Sequence, residues 1–308
     1  MRGAQIKGWG SALPEKVVTN KDLESTLDTN DEWIVERTGI RERRIGGSTS
    51  GLAIEASRLA MARAGWEPET VDLLILATTS PDQQIPASAS TVQNELGLTC
   101  GAFDLNAACS GFVYALVAAH GFVQTGLSRI LVIGSDTLSR LTDWEDRGTA
   151  ILFADGAGAA AVEAVDGPGE LLGYDLGSDG SARHILDADI GGYMHMDGKE
   201  VFRRAVRVMV ASGNAALERA GLTIDDIDHV VPHQANIRII ESACKKLGVP
   251  VEKAVTVLDR TGNTSAASIP LALVDGVDSG RIQPGDTILF VGFGAGMTWA
   301  SAVVRWQP

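Results

Sequence analysis

Three residues carry side chains and local settings suited to acyl-transfer chemistry: Cys109 in AACSG, His233 in VPHQAN and Asn263 in RTGNTSAAS. Cys109 stands where an Ala-rich helical pattern begins. Unpaired backbone N–H groups and the positive end of a helix dipole favour thiolate there, which predicts a thiol pKa lowered by about one unit or more. The small neighbours leave room for a thioester carbonyl, and the Cys109 N–H could help hold an oxyanion. His233 follows a short apolar strand run and precedes a helical pattern. Asn263 offers an amide that donates at every pH. Each has an ordinary reading when taken alone: a buried cysteine, a satisfied core histidine and a helix N-cap. Cys100 and Cys244 lack any such setting and read as structural.

The elements that would bring these three together are written twice. RAGWEPETVDLLIL from Arg63 is answered by RAGLTIDDIDHVV from Arg219, 156 residues later. ELGL at Glu95, FDLNAACSGFVYALVAA at Phe103 and ILVIGSD at Ile130 then have counterparts in the same order: KLGV at Lys246, VLDRTGNTSAASIPLAL at Val257 and ILFVGFG at Ile288. Four ordered matches favour duplication over chance. Each half alternates helices and strands, the pattern of an α/β fold with sheets covered on both faces. The turn-rich Gly167-Pro168-Gly169 divides the chain into halves 1–166 and 167–308. A duplicated α/β chain has a pseudo-dyad where matching strand ends and helix starts converge. Matching Cys109 to Asn263 at an offset of 154 places both there, with His233 alongside.

Composition narrows the function classes. The chain has 308 residues, 45% of them hydrophobic, enough for a sizeable core. A formal net charge of −13 disfavours nucleic acid and anionic membrane as partners. No apolar run reaches transmembrane length and the start, MRGAQIKGWGS, has no signal-peptide pattern, so a cytoplasmic location is expected. Three cysteines without CxxC spacing argue against a disulfide frame and against a zinc site, and no metal is expected. DGAGAAAV and GFGAGM are glycine-rich but do not match GxGxxG, which disfavours a dinucleotide-dependent oxidoreductase.

Seven segments together resemble the 3-oxoacyl-[acyl-carrier-protein] synthase III family of thiolase-like condensing enzymes, over essentially the whole chain. They are NDEWIVERTGI, AACSGF, DRGTAILFADGAGA, MDGKEVF, VPHQANIRII, LDRTGNTSAASIP and FGAGMTWASAVVRW. The resemblance implies a duplicated, five-layered αβαβα fold and a homodimer. It implies that Cys109 takes the starter acyl group from acyl-CoA as a thioester. Malonyl-acyl carrier protein then loses CO2, and its enolate attacks the acyl-cysteine. His233 through Nε2–H and Asn263 through its amide would hold the enolate oxygen. The N–H groups of Cys109 and Ala295 would form the second oxyanion hole. Acyl-CoA is a substrate, and no cofactor is implied.

The same resemblance assigns the handles. Trp33 and Arg147 would sandwich the CoA adenine, Arg37 would contact a CoA phosphate, and Gly198 and Asn236 would contact pantetheine. Arg203, Arg238, Lys245 and Lys246 would dock the acidic carrier protein. Ile85, reaching across the dimer, and Met297 would shape the acyl pocket. Two relatives are disfavoured: the C-terminal loop GFGAG lacks the second cysteine of thiolases, and Asn263 stands where chain-elongating synthases have a second histidine. Three other roles stay open at this point: a polyketide starter-loading homologue, an acyl-transferring homologue and an inactive partner subunit. An inactive subunit typically loses the nucleophile or its donors, and this chain keeps all three.

Overall fold

The structure is a computed structural model that describes residues 2–308. In the N-terminal half, strand β1 (Arg2–Ala12) is followed by the short hairpin β2 (Val17–Thr19) and β3 (Glu42–Arg44). Strands β4 (Leu73–Ala77), β5 (Gly101–Leu105), β6 (Arg129–Thr137) and β7 (Asp155–Asp166) complete a five-stranded sheet in the order β1-β7-β6-β4-β5. After a four-residue turn come β8 (Leu171–Ser178), a second hairpin of β9 (Leu186–Asp187) and β10 (His195–Met196), then β11 (His229–Pro232), β12 (Thr287–Gly294) and β13 (Thr298–Arg305). Their sheet has the order β11-β12-β13-β8.

The two sheets repeat one topology. β1 pairs antiparallel with β7, β7 antiparallel with β6, and β4 runs parallel to both β6 and β5. β8, β13, β12 and β11 repeat this arrangement, and a parallel bridge from Val230 to Ala254 stands where β5 would. The helices repeat as well: Thr49–Ala64, Ser88–Glu95 and Gly111–Gln124 are answered by Gly198–Ala220, Ile237–Leu247 and Ser268–Asp278.

Alternating side chains on the central strands explain the layering, because successive residues of a strand face opposite sides of its sheet. Ile75, Ile130 and Val132 face one core with Ile288 and Phe290; the helices Gly111–Gln124 and Ser268–Asp278 fill that space through Phe112, Leu116 and Ile269. Leu74, Leu76 and Leu131 turn outward onto the helix Thr49–Ala64. Leu289 and Val291 turn outward onto the helices Gly198–Ala220 and Ile237–Leu247. Outer helices, sheet, central helices, sheet and outer helices are the five layers αβαβα. Strands buried on both faces read as continuous apolar runs, which is why LLILA and ILFV carry no alternation. Among the described residues no helix is long and apolar enough to cross a membrane.

Candidate active site

Both central helices begin with the same device. Asn106 Oδ1 accepts from the Ala108 N–H at 3.1 Å, and Asn263 Oδ1 accepts from the Ser265 N–H at 3.0 Å. Ala108 and Ser265 both take left-handed backbone conformations, with φ of 49° and 51°. A short 3-10 turn follows in each half and leads into the helix. The structural twin of Asn263 is therefore Asn106, at an offset of 157, and that of Cys109 is Ala266. This corrects the offset of 154 that the sequence suggested. The three chemical residues converge near the pseudo-dyad, but Cys109 and Asn263 do not occupy equivalent positions.

Cys109, His233 and Asn263 line one cavity of about 670 Å³. All three are nearly buried, at 9%, 1% and 5% exposure. Asn263 is held by its backbone, which bonds Leu152 and Ala154 across a parallel bridge to Phe153. Its side-chain oxygen is taken by Ser265, so Nδ2 is the donor left for a ligand. His233 is fixed by its N–H to the Val291 carbonyl at 2.8 Å and by edge-on packing against Phe293. Its Nδ1 lies 2.7 Å from Ser268 Oγ, which also accepts from the Gln234 N–H. The Ser268 proton is thus free to go to Nδ1, and that tautomer leaves the imidazole hydrogen on Nε2. Burial pushes the imidazole down to about 3, so it is neutral at neutral pH.

The loop after β12 closes over Cys109. A Cβ on Gly294 would lie 2.6 Å from the Cys109 nitrogen and 2.8 Å from the Ala108 Cβ, so only glycine admits this approach. Ala295 follows directly and lines a second cavity of about 340 Å³. Cys109, Phe153 and Leu186 line both cavities. Cys109 therefore sits where two cavities meet: a larger one, here the outer cavity, and a smaller one, here the inner pocket, whose lining includes the exposed Arg183, Asp187 and Ala188.

Two family models match this chain: 3-oxoacyl-[acyl-carrier-protein (ACP)] synthase III over residues 103–180, and the C-terminal part of the same family over residues 217–306. A β-ketoacyl-[acyl-carrier-protein] synthase III of Erythrobacter litoralis is 51% identical over 98% of this chain and 99% of its own length. One from Roseiflexus castenholzii is 49% identical over 99% and 98%. The crystal structure of 3-oxoacyl-[acyl-carrier-protein] synthase III from Aquifex aeolicus superposes with a TM-score of 0.97, at 44% identity over 99% and 100% of the two chains. The chain belongs to the 3-oxoacyl-[acyl-carrier-protein] synthase III family. Its fold is the thiolase-like one, and the chain is a condensing acyltransferase.

The other residues singled out from the sequence fall into distinct places. Trp33, Arg37, Gly198, Asn236 and Arg238 line the outer cavity with the triad. The Trp33 ring carries two guanidinium groups, Arg37 at 4.6 Å and Arg147 at 4.8 Å from its centroid. A base stacked between Trp33 and Arg147 needs two contact distances, about 7 Å. Arg147, bonded to the Asp28 carbonyl, stands closer to the ring than that. Asn236 already caps its helix by accepting from the Arg238 N–H. Arg203 is exposed, with its Nε and Nη2 donating to the two Glu200 carboxylate oxygens. Lys245 and Lys246 lie on the last turn of their helix, roughly 10 Å along it from Arg238, where they also suit the helix dipole.

Two expectations change, for Cys109 and Met297. Burial pushes the Cys109 thiol up to about 12; a nearby Ser265 hydroxyl lowers it and Asp136 raises it further. Desolvation outweighs the helix-start effect predicted from sequence, and the resting group is a thiol. Met297 is buried in the core beside the C-terminal half, while Ala295 and Gly296 line the inner pocket instead. Ile85 is 84% exposed and lines neither cavity of its own chain. The pocket walls that sequence reasoning missed are Leu138, Leu141, Leu186 and Met194. It also missed Asp136, whose buried carboxylate gathers Thr78, Thr79 and Ser80 through Oδ1 and the Ala266 N–H through Oδ2. The polar run SAAS at the start of a buried helix was the one available signal for Ser265 and Ser268.

Proposed function

We propose that this chain condenses an acyl-CoA starter with malonyl-acyl carrier protein, with loss of CO2, to open fatty acid synthesis. Cys109 carries the starter as a thioester. His233 and Asn263 donate to the enolate oxygen, and the N–H groups of Cys109 and Ala295 hold the thioester oxygen. The observation that carries this reading is the position of Cys109 at the junction of two cavities. The outer one ends at Trp33 and Arg37, a stacking face and a cation suited to a nucleotide. The inner one has an apolar wall of Leu138, Leu141, Phe153, Leu186 and Met194, suited to an acyl chain, with Arg183 and Asp187 also lining it.

Starter and extender enter by the same mouth in turn. Arg238 at the rim, with Lys245, Lys246 and Arg203 beyond it, is the docking surface for an acidic carrier protein. The working form is a homodimer in the cytoplasm. The free edge of β5, which pairs with β4 alone, and its half-buried Phe103 and Leu105 favour such an association. The exposed Ile85 loop then caps the inner pocket of the neighbouring subunit. No cofactor takes part. Nothing in the site favours the polyketide-loading alternative.

The test is to offer purified protein a panel of acyl-CoAs with and without malonyl-carrier protein. Product should be a 3-oxoacyl-carrier protein, formed with one CO2 released per turnover. Acyl transfer to the carrier without CO2 release would refute the decarboxylative step.

A further inference from the structure

The Ser265 hydroxyl has no evident structural task. The residue is 1% exposed, and its Oγ is buried without a hydrogen-bond partner. Buried hydroxyls normally find one. The turn around it does not need the oxygen, because the same turn is built in the other half with Ala108 at the equivalent position. The loop is held by other bonds: the Ser265 N–H donates to Asn263 Oδ1 and the Ala266 N–H to Asp136 Oδ2. Thr264, next to it, also has an unpaired hydroxyl but lines neither cavity. Ser265 lines the inner pocket together with Cys109.

We propose that Ser265 is a further catalytic residue, whose hydroxyl donates a hydrogen bond to the Cys109 sulfur whenever that sulfur carries negative charge. Charge appears there twice in a reaction cycle. It forms when the thiol proton leaves for the departing CoA sulfur, as the new S–acyl bond replaces the CoA thioester bond and CoA is released as a thiol. It forms again when the carbanion left by loss of CO2 bonds the acyl carbon and breaks its bond to Cys109, whose thiolate then takes a proton from solvent. A donor beside a desolvated thiolate acts in both steps. Placed as it is, the hydroxyl lowers the cost of forming the thiolate, against the larger opposing effect of burial. In the uncharged states it has no partner to lose, so the bond is made only where charge develops.

The inference rests on Cys109 being the nucleophile. The test therefore begins with wild type and Cys109→Ser, mixed with acetyl-CoA and read by intact mass. Ser265→Ala and Ser265→Gly are then compared in three reactions of the full chain: alkylation of Cys109 by iodoacetamide, mapped to its peptide; acylation by acetyl-CoA; and decarboxylation of malonyl-carrier protein, which does not use the sulfur. The glycine variant suits the left-handed backbone at this position and guards against misfolding of the alanine one. Alkylation and acylation should slow by about threefold to tenfold in both variants, with decarboxylation changed by less than about twofold. Unchanged alkylation would overturn the proposal. An equal fall in decarboxylation would also overturn it, because Ser265 would then act only by positioning Asn263. If wild type shows no adduct dependent on Cys109, the reading of the site itself fails.

Discussion

Burial sets the charge state of the two central groups and moves them in opposite directions. The Cys109 thiol is pushed up to about 12 and the His233 imidazole down to about 3. No thiolate–imidazolium pair exists at neutral pH in the resting site. Both groups are neutral, and each is costly to charge until substrate arrives. A neutral imidazole protonated on Nε2, with Nδ1 against Ser268, is a hydrogen-bond donor and suits an enolate oxygen. Asn263, its Oδ1 taken by Ser265, is a donor of the same kind. His233→Ala and Asn263→Ala should therefore cut decarboxylation of malonyl-carrier protein about a hundredfold each, near 3 kcal/mol, while acylation of Cys109 persists at a measurable rate. Separate assays of the two half-reactions check this. Equal collapse of both in His233→Ala would make the histidine a base for the thiol. Cys109, His233 and Asn263 were legible in the sequence through the ordered repeats and the family motifs that contain them. Ser268 and Asp136 were not, because serine and aspartate at element ends have many ordinary uses.

Elements decide how close the backbone can come to Cys109. Gly294 is extended, so its need is space rather than a special backbone angle. Gly294→Ala places a methyl 2.6 Å from the Cys109 nitrogen, and one of the two must move. Acylation should fall by about a hundredfold or more, as on loss of an oxyanion donor, with a smaller change in acyl-CoA binding. Single-turnover acylation separates the two, and a near-normal acylation rate would show that the Cys109 N–H takes no part. The Ile85 loop offers a second test. The exposed isoleucine is smaller than a phenylalanine, and each methylene of depth it leaves in the neighbouring pocket is worth about 0.8 kcal/mol. Ile85→Phe should shift preference from isobutyryl- and isovaleryl-CoA toward acetyl-CoA, read as kcat/KM across the panel. An unchanged profile would remove Ile85 from the pocket. The duplication was legible as four ordered segments, yet its register at the site was not. The apolar residues around Cys109 and Asn263 tolerate a slip of three positions, and only the paired turns at Asn106 and Asn263 fix it.

At the scale of the whole molecule the two halves share one buried layer, and a titratable pair lies within it. Glu170, in the turn that joins the halves, is fully buried with both carboxylate oxygens unpaired, and His120 of the helix Gly111–Gln124 lies 3.9 Å away. Burial pushes the Glu170 carboxyl up to about 8 and His120 down to about 4. Between the ordinary carboxyl value of 4.5 and about 8 the folded chain holds a proton that the unfolded chain has released. Stability from this group is thus present below 4.5 and is lost as pH rises toward 8. His120 acts in the opposite sense, favouring the folded state as pH rises from about 4 to 6.5. Glu170→Gln should raise the melting temperature by a few degrees at pH 8, by less at pH 5, and flatten the profile between them. A lower melting temperature at pH 8 would mean that Glu170 is ionised and paired.

The assignment of Cys109 as the acyl carrier joins these scales, and the mass of the intact chain tests it most directly. After brief exposure to acetyl-CoA without malonyl-carrier protein, wild type should gain one acetyl group per chain. Peptide mapping should place it on Cys109, and malonyl-carrier protein should remove it. Cys109→Ser should gain none, with Cys100 and Cys244 still present in the same chain. An adduct of equal yield in Cys109→Ser, or one mapped to another residue, would contradict the account.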